Sequence, residues 1–165
     1  MCAVNASVGE SEMRQSENSV YCHRIVAHFV KAFDFVPFFK NDRDGVKKSE
    51  DYKVFSFSSV AQRDAVSALL NSNLVYCWVV TYSDVYHFGR DLILDCPCDV
   101  PRLADEYGSA LKSANKRLMD KLKKDCLRRR IPYRTTGIVE YDEFYPRKAK
   151  VILTKSIRSW RRFTD

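Results

Sequence analysis

The longest periodic stretch of the chain sets what it can fold into. Leu103, Tyr107, Ala110, Leu111, Ala114, Leu118 and Leu122 recur at steps of three and four, the spacing that gathers side chains on one face of an α-helix. Pro101 suits the first turn of such a helix, and the basic residues towards its end suit the negative pole of its dipole. Pro132 stops much continuation. The pattern predicts a helix over about residues 101–129, in which Gly108 costs up to about 1 kcal/mol relative to alanine. A helix of this kind has one apolar stripe to bury, so the rest of the chain must supply the surface that covers it.

Residues 20–39 are rich in Val, Phe, Tyr and Ile, which favours strands. Residues 41–51 are a polar turn. In residues 52–57, Tyr52, Val54 and Ser56 alternate with Lys53, Phe55 and Phe57, the signature of a half-buried strand. Ser58 or Ser59 is placed to cap a helix over about residues 60–70, with Gln62 or Asp64 in its first turn. Residues 74–82 read as a short buried helix, with a strand as the alternative. A polar break with Gly89 covers residues 83–90. Residues 138–144 read as a strand after the Thr136-Gly137 turn, and residues 146–160 as a last basic helix. Strands and helices mix without regular alternation, so the expected class is α+β: a small mixed or antiparallel sheet with the long amphipathic helix and two shorter ones, in a single domain. Residues 1–19 are polar and patternless and are expected to be a disordered leader; residues 153–165 are expected to be a basic tail or truncated helix.

At 165 residues, 45% apolar and 13% aromatic, the chain has the size and composition of one domain with its own core. An intrinsically disordered chain is excluded. The longest apolar run, residues 74–80, is far too short to span a bilayer. The first residues carry Glu10, Glu12 and Glu17 and no apolar centre, so no secretory signal is read there and a cytoplasmic protein is expected. Cys2, Cys22, Cys77, Cys96, Cys98 and Cys126 are accordingly expected as thiols, with Cys77 and Cys126 buried. Cys96-Pro97-Cys98 lacks the second pair or the histidines that a structural zinc site needs.

The formal net charge is +7, with 28 Lys and Arg against 21 Asp and Glu. The excess is concentrated towards the C-terminus. Between residues 112 and 134 stand Lys112, Lys116, Arg117, Lys121, Lys123, Lys124, Arg128, Arg129, Arg130 and Arg134 against Asp120 and Asp125. Arg147, Lys148 and Lys150 follow. Such a distribution favours a polyanionic partner, and the competing reading is a solvated helix face.

The glycine loops that cradle cofactors are missing: there is no G-x-x-x-x-G-K-[ST] and no G-x-G-x-x-G, and neither a zinc-protease helix motif nor a nucleophile elbow is present. Cys96 and Arg102 have the spacing of a phosphatase loop, but Pro97 and Pro101 remove amide donors from it and Asp99 repels phosphate. The chain is therefore read as not an enzyme, with no cofactor and no metal. The densest polar and aromatic cluster is Ser83-Asp84-Val85-Tyr86-His87-Phe88-Gly89-Arg90. Its donors, acceptors and ring suit base-edge readout: His87 as donor or acceptor, Arg90 as a clamp on phosphate or guanine, Asp84 as acceptor from cytosine or as the orienting partner of Arg90. The competing reading is a turn held by bonds from the Asp84 and Ser83 side chains to backbone.

Residues 58–78 and their continuation to Phe88 resemble the target-recognition region of bacterial type IIG adenine-specific DNA methyltransferases. In that family a leucine-leucine-asparagine-serine-serine stretch leads through aromatics to a serine-aspartate-cysteine-arginine-histidine loop; here the corresponding residues are Leu69-Leu70-Asn71-Ser72-Asn73 and Ser83-Asp84-Val85-Tyr86-His87. Residues 33–39, 48–53 and 140–150 resemble further segments of the same region, so the resemblance runs over about residues 20–152. Val85 and Tyr86 stand where cysteine and arginine are usual. The resemblance implies a detached or truncated target-recognition domain that binds double-stranded DNA sequence-specifically. Its methyltransferase or endonuclease catalytic partner, together with the S-adenosylmethionine site, lies outside the chain. On this reading Ser83, Asp84, Tyr86, His87 and Arg90 meet bases, and Lys116, Lys123, Arg134, Arg147 and Lys148 hold phosphates or flank them. The alternative is a protein-interaction module that uses the apolar stripe of the 101–129 helix.

Overall fold

A computed structural model describes residues 6–13, 16–26 and 29–149. The fold is α+β, with its strands divided between two antiparallel sheets. The first sheet has the order β2-β1-β5, from β1 (Asn18–His23), β2 (Ala32–Phe33) and β5 (Tyr52–Phe57). The second has the order β4-β3-β7-β6, from β3 (Phe39–Asn41), β4 (Gly45–Val46), β6 (Leu127–Tyr133) and β7 (Gly137–Glu143). The polar 41–51 stretch thus contains a tight β3–β4 hairpin, whose turn reaches Gly45 at φ +73°.

Among the described residues, four α-helices follow the first sheet in sequence. Helix α1 (Val60–Leu70) begins at Ser59, whose hydroxyl accepts from the Gln62 amide at 3.2 Å. A cap of this kind stabilises a helix by about 1 kcal/mol. At the other end, Asn71 clasps β2: its carbonyl accepts from Ala32 N and its amide donates to Ala32 O. Helix α2 (Asn73–Tyr82) is capped by Ser72. It is a helix, as the apolar run predicts, but it lies on the surface. Val75 and Val79 are buried, whereas Leu74, Val80 and Tyr82 are exposed. Trp78 ties it to α3 (Arg90–Leu94) by donating to Leu92 O.

Helix α4 (Val100–Asp125) starts at Asp99, whose carboxylate accepts from Arg102 N, with proline in the first turn. Leu103 and Leu111 pack into a core shared with Val20, Phe55, Phe57, Val66 and Leu69. Leu118, Met119 and Leu122 pack into a second core with Phe33 and Phe144. One helix therefore joins both cores, which contain Phe33, Phe55 and Phe57 of the first sheet and Phe144, which follows β7. The whole leucine stripe is consumed in this way, with Leu103, Leu111, Leu118 and Leu122 between 2% and 6% exposed. The surface proposed for a protein-interaction module is thus not available.

The helix ends four residues before the predicted limit. From Leu127 the chain is a strand, not a continuing helix. The apolar periodicity stops at Leu122, and β7 offers Asp142, Glu143 and Glu140 as partners for Arg128, Arg129 and Arg130. Pro132 is accommodated because β6 is an edge strand. The 1–19 stretch is also corrected in part. A 3-10 turn at Val8–Ser11 places Val8 fully in the first core, Val8 N donates to Cys96 O, and Met13 N donates to Ser56 O. Of the last basic helix, Pro146–Ala149 is a 3-10 turn; the remainder of the 146–160 segment and the 153–165 tail lie outside the described residues, apart from Pro146–Ala149. Cys77 is exposed and Cys126 half-buried at the α4 C-cap, whereas Cys22, Cys96 and Cys98 are buried. Burial pushes the thiols of Cys96 and Cys98 up to about 12, so both are inert at neutral pH.

Candidate functional site

The 83–90 loop is built by its own side chains. Ser83 Oγ donates to Val79 O and accepts from Val85 N. One Asp84 oxygen accepts from Tyr86 N and His87 N, and the other meets His87 Nδ1. These bonds, led by the His87 backbone amide, hold the Asp84 carboxyl down at about 2. They also hold Val85 at φ +61°, a left-handed conformation that a β-branched residue adopts at a cost. The loop docks on the segment after β1: Val26 N donates to Tyr86 O, Phe88 N donates to Arg24 O, and Phe88 is fully buried.

Ser83 and Asp84 therefore follow the competing reading and shape the turn. Arg90 is likewise occupied. It pairs with Glu12, donates to Val54 O and lies over the Phe55 ring, which pins the N-terminal segment to β5. Its partner is Glu12 and not Asp84. Tyr86 and His87 remain presented to solvent, their rings packed edge to face.

The basic residues divide into two groups. On β6, Arg128, Arg129 and Arg130 are each matched by a carboxylate of β7, and Arg128 also covers the Phe38 ring. On α4, Lys112, Lys116, Arg117, Lys123 and Lys124 are exposed, and no ion pair joins them to a described residue. Lys112, Lys116 and Lys123 share one helix face. With Arg63 of α1 they rim a hollow of about 220 Å³ that also contains Asp34, Asp64 and Asp120. Of these acids, Asp64 is forked by Arg63 and both Asp64 and Asp34 accept from the buried Asn115 amide. Desolvation raises the Asp34 carboxyl above its usual range. Arg147 and Lys148 are exposed on the 3-10 turn that packs on α4, and Lys148 lies over the Tyr145 ring. Arg134 is exposed in the β6–β7 turn. The structure thus brings Lys116 and Lys123 together, and sets Lys148 and Arg147 beside the same helix. The 83–90 loop belongs to a different edge, at the end of β1.

The larger cavity, about 530 Å³, lies between the two sheets. From the first sheet, Lys31, His23 and Tyr52 form one cross-strand row: His23 pairs with Tyr52 in register, and His23 N donates to Lys31 O. From the second sheet come Phe39 and Tyr141, also paired in register, together with Val139 and Glu143. Tyr133, Thr135 and Thr136 complete the lining from the β6–β7 hairpin. Desolvation lowers both Lys31 and His23 and raises Tyr52. The sequence does not reveal this cavity, because its residues come from separate strands and share no local spacing. Among the described residues no group of three His, Cys, Asp or Glu is arranged to hold a metal ion, and no helix is long and apolar enough to cross a membrane. The chain matches no protein-family model, no curated protein and no solved structure.

Proposed function

We propose that this chain is a double-stranded-DNA-binding module of the target-recognition kind, working in the bacterial cytoplasm beside a methyltransferase or endonuclease catalytic partner and carrying no chemistry of its own. The observation that carries the reading is the row of unpaired cations on α4. Lys123 lies eleven positions after Lys112, which at about 1.5 Å per residue is roughly 16 Å of helix, long enough to follow several phosphates of one strand. Cations held on a rigid helix and not locked in direct ion pairs release counterions from DNA when they bind. Arg147 and Lys148 extend the same surface. Tyr86 and His87 are the two loop residues left for base contact, since Ser83, Asp84 and Arg90 are engaged in holding the loop.

The test is fluorescence anisotropy with random-sequence duplex DNA at about 50 and about 200 mM salt, where six or more phosphate contacts lower the affinity by about a thousandfold. Binding with that slope leads to a selection for the preferred sequence. Absence of binding at the lower salt overturns the reading as an autonomous function.

A further inference from the structure

We infer that the cavity between the two sheets is a binding site for one nucleoside monophosphate unit, with the base ring held among the tyrosines and phenylalanines and the phosphate on Lys31. This deepens the DNA-binding reading and rests on it only for the source of the nucleotide.

The charges around the cavity single out Lys31. Three carboxylates line it, and each already has a cation: Asp51 is paired with Arg24, Asp142 with Arg128, and Glu143 with Arg129. Glu143 also accepts from the Tyr145 hydroxyl. Lys31 lines the same cavity half-buried, with no ion pair to a described residue. Glu143 is the carboxylate that acts on it, beyond ion-pair distance and already doubly engaged. A half-buried ammonium without a direct ion pair attracts an anion.

The walls supply the other half of the ligand. Tyr52 packs edge to face with His23 at 5.1 Å, Phe38 and Phe144 join them in the lining, and Phe33, outside the lining, backs Tyr52 and Phe144. Tyr141, Phe39 and Tyr133 approach from the second sheet. Rings of this kind stack on any base. Polar groups for a base edge are present too. His23 Nδ1 meets Ile25 O at 3.0 Å and Ile25 N at 3.1 Å, which leaves Nε2 without a hydrogen bond to a described residue, and Thr135 and Thr136 also line the cavity. The volume lies in the range of small-molecule sites. The cavity also adjoins the recognition loop: two residues beyond His23, Ile25 bridges to His87.

The test is isothermal titration calorimetry of the full chain with the four deoxynucleoside 5′-monophosphates, deoxyadenosine and inorganic phosphate. Monophosphates are expected to bind, and Lys31→Gln to weaken them about tenfold while leaving deoxyadenosine unchanged. Tyr133→Ala, at a half-exposed position that folding tolerates, is expected to weaken monophosphate and nucleoside alike. No heat with any nucleotide up to about 5 mM, or equal affinity in wild type and Lys31→Gln, overturns the proposal. A duplex carrying 2-aminopurine opposite an abasic site separates the sources. A fluorescence rise that depends on Lys31 marks a nucleotide of DNA, and its absence beside mononucleotide binding marks a free nucleotide. Duplex binding with a steep salt slope but no mononucleotide binding overturns the cavity site alone and leaves the DNA-binding reading standing.

Discussion

The two basic stretches at the end of α4 and along β6 are neighbours in sequence and alike in composition, yet they present different surfaces. Lys112, Lys116 and Lys123 are exposed and form no direct ion pair with a described residue, although Asp34, Asp64 and Asp120 share their hollow and Lys123 lies over the Phe35 ring. Arg128, Arg129 and Arg130 face Asp142, Glu143 and Glu140 across a strand pair. A charge run is therefore not yet a charged surface. What decides is whether the fold brings acids opposite it. Exposed pairs of the β6 kind add about 0–1 kcal/mol each to stability, but they leave little net field for a polyanion. The α4 cations are offset only in part, by the aspartates of the hollow they rim.

The contrast can be broken first through its anchor. Leu122→Ala empties a position 2% exposed under the basic face and is expected to cost about 2–5 kcal/mol in chemical denaturation. Leu127→Ala, at a position 47% exposed on β6, is expected to stay within about 0.5 kcal/mol. Similar losses for both would place the helix's stability elsewhere. Next, replacing Lys112, Lys116 and Lys123 together by Gln is expected to reduce the slope of log affinity against log salt by about 2.7, and the triple Gln variant of Arg128, Arg129 and Arg130 by less than about 1. Equal slopes would show that paired and unpaired cations count alike.

Much of the fold was legible because its signals are local. Ser59 caps α1 where a serine before an apolar run predicts it, and the alternation of residues 52–57 is strand β5. The end of α4 was misjudged because charge was taken as helix surface after the apolar period had stopped at Leu122. The strand that replaces it is stabilised by β7, which no local pattern reveals. In the loop, the same Asp84 and Ser83 that suit base readout turned out to be bonded to the backbone within four residues of themselves. The inter-sheet cavity was invisible for a further reason: His23, Lys31, Tyr52, Tyr141 and Glu143 meet through strand register, not through spacing.

Two smaller effects sharpen the distinction between residues that hold the site and residues that meet a ligand. His23 is held below its ordinary value of 6.5 mainly by burial. The unfolded chain then binds more protons, so this residue's contribution to stability is present above pH 6.5 and is lost on acidification through its lowered folded value. His23→Gln is expected to flatten that part of a pH–denaturation profile, and an unchanged profile would rule His23 out as its source. Val85→Gly relieves the left-handed strain at φ +61°; the expected gain is below about 1 kcal/mol, because glycine's added freedom in the unfolded chain offsets part of it. A loss in thermal denaturation would mean that the valine side chain, and not the backbone, sets the loop.

The second sheet has a consequence for synthesis. Phe39 must pair with Tyr141, roughly 100 residues later, and at about 5–20 residues per second that partner is made some 5–20 s after β3 leaves the ribosome. The first sheet's strands, by contrast, are all complete by Phe57. The first sheet's strands are therefore all available before the second sheet's are complete, and the β3–β4 hairpin, with Phe38 and Phe39, lacks its β7 partner until that strand is made.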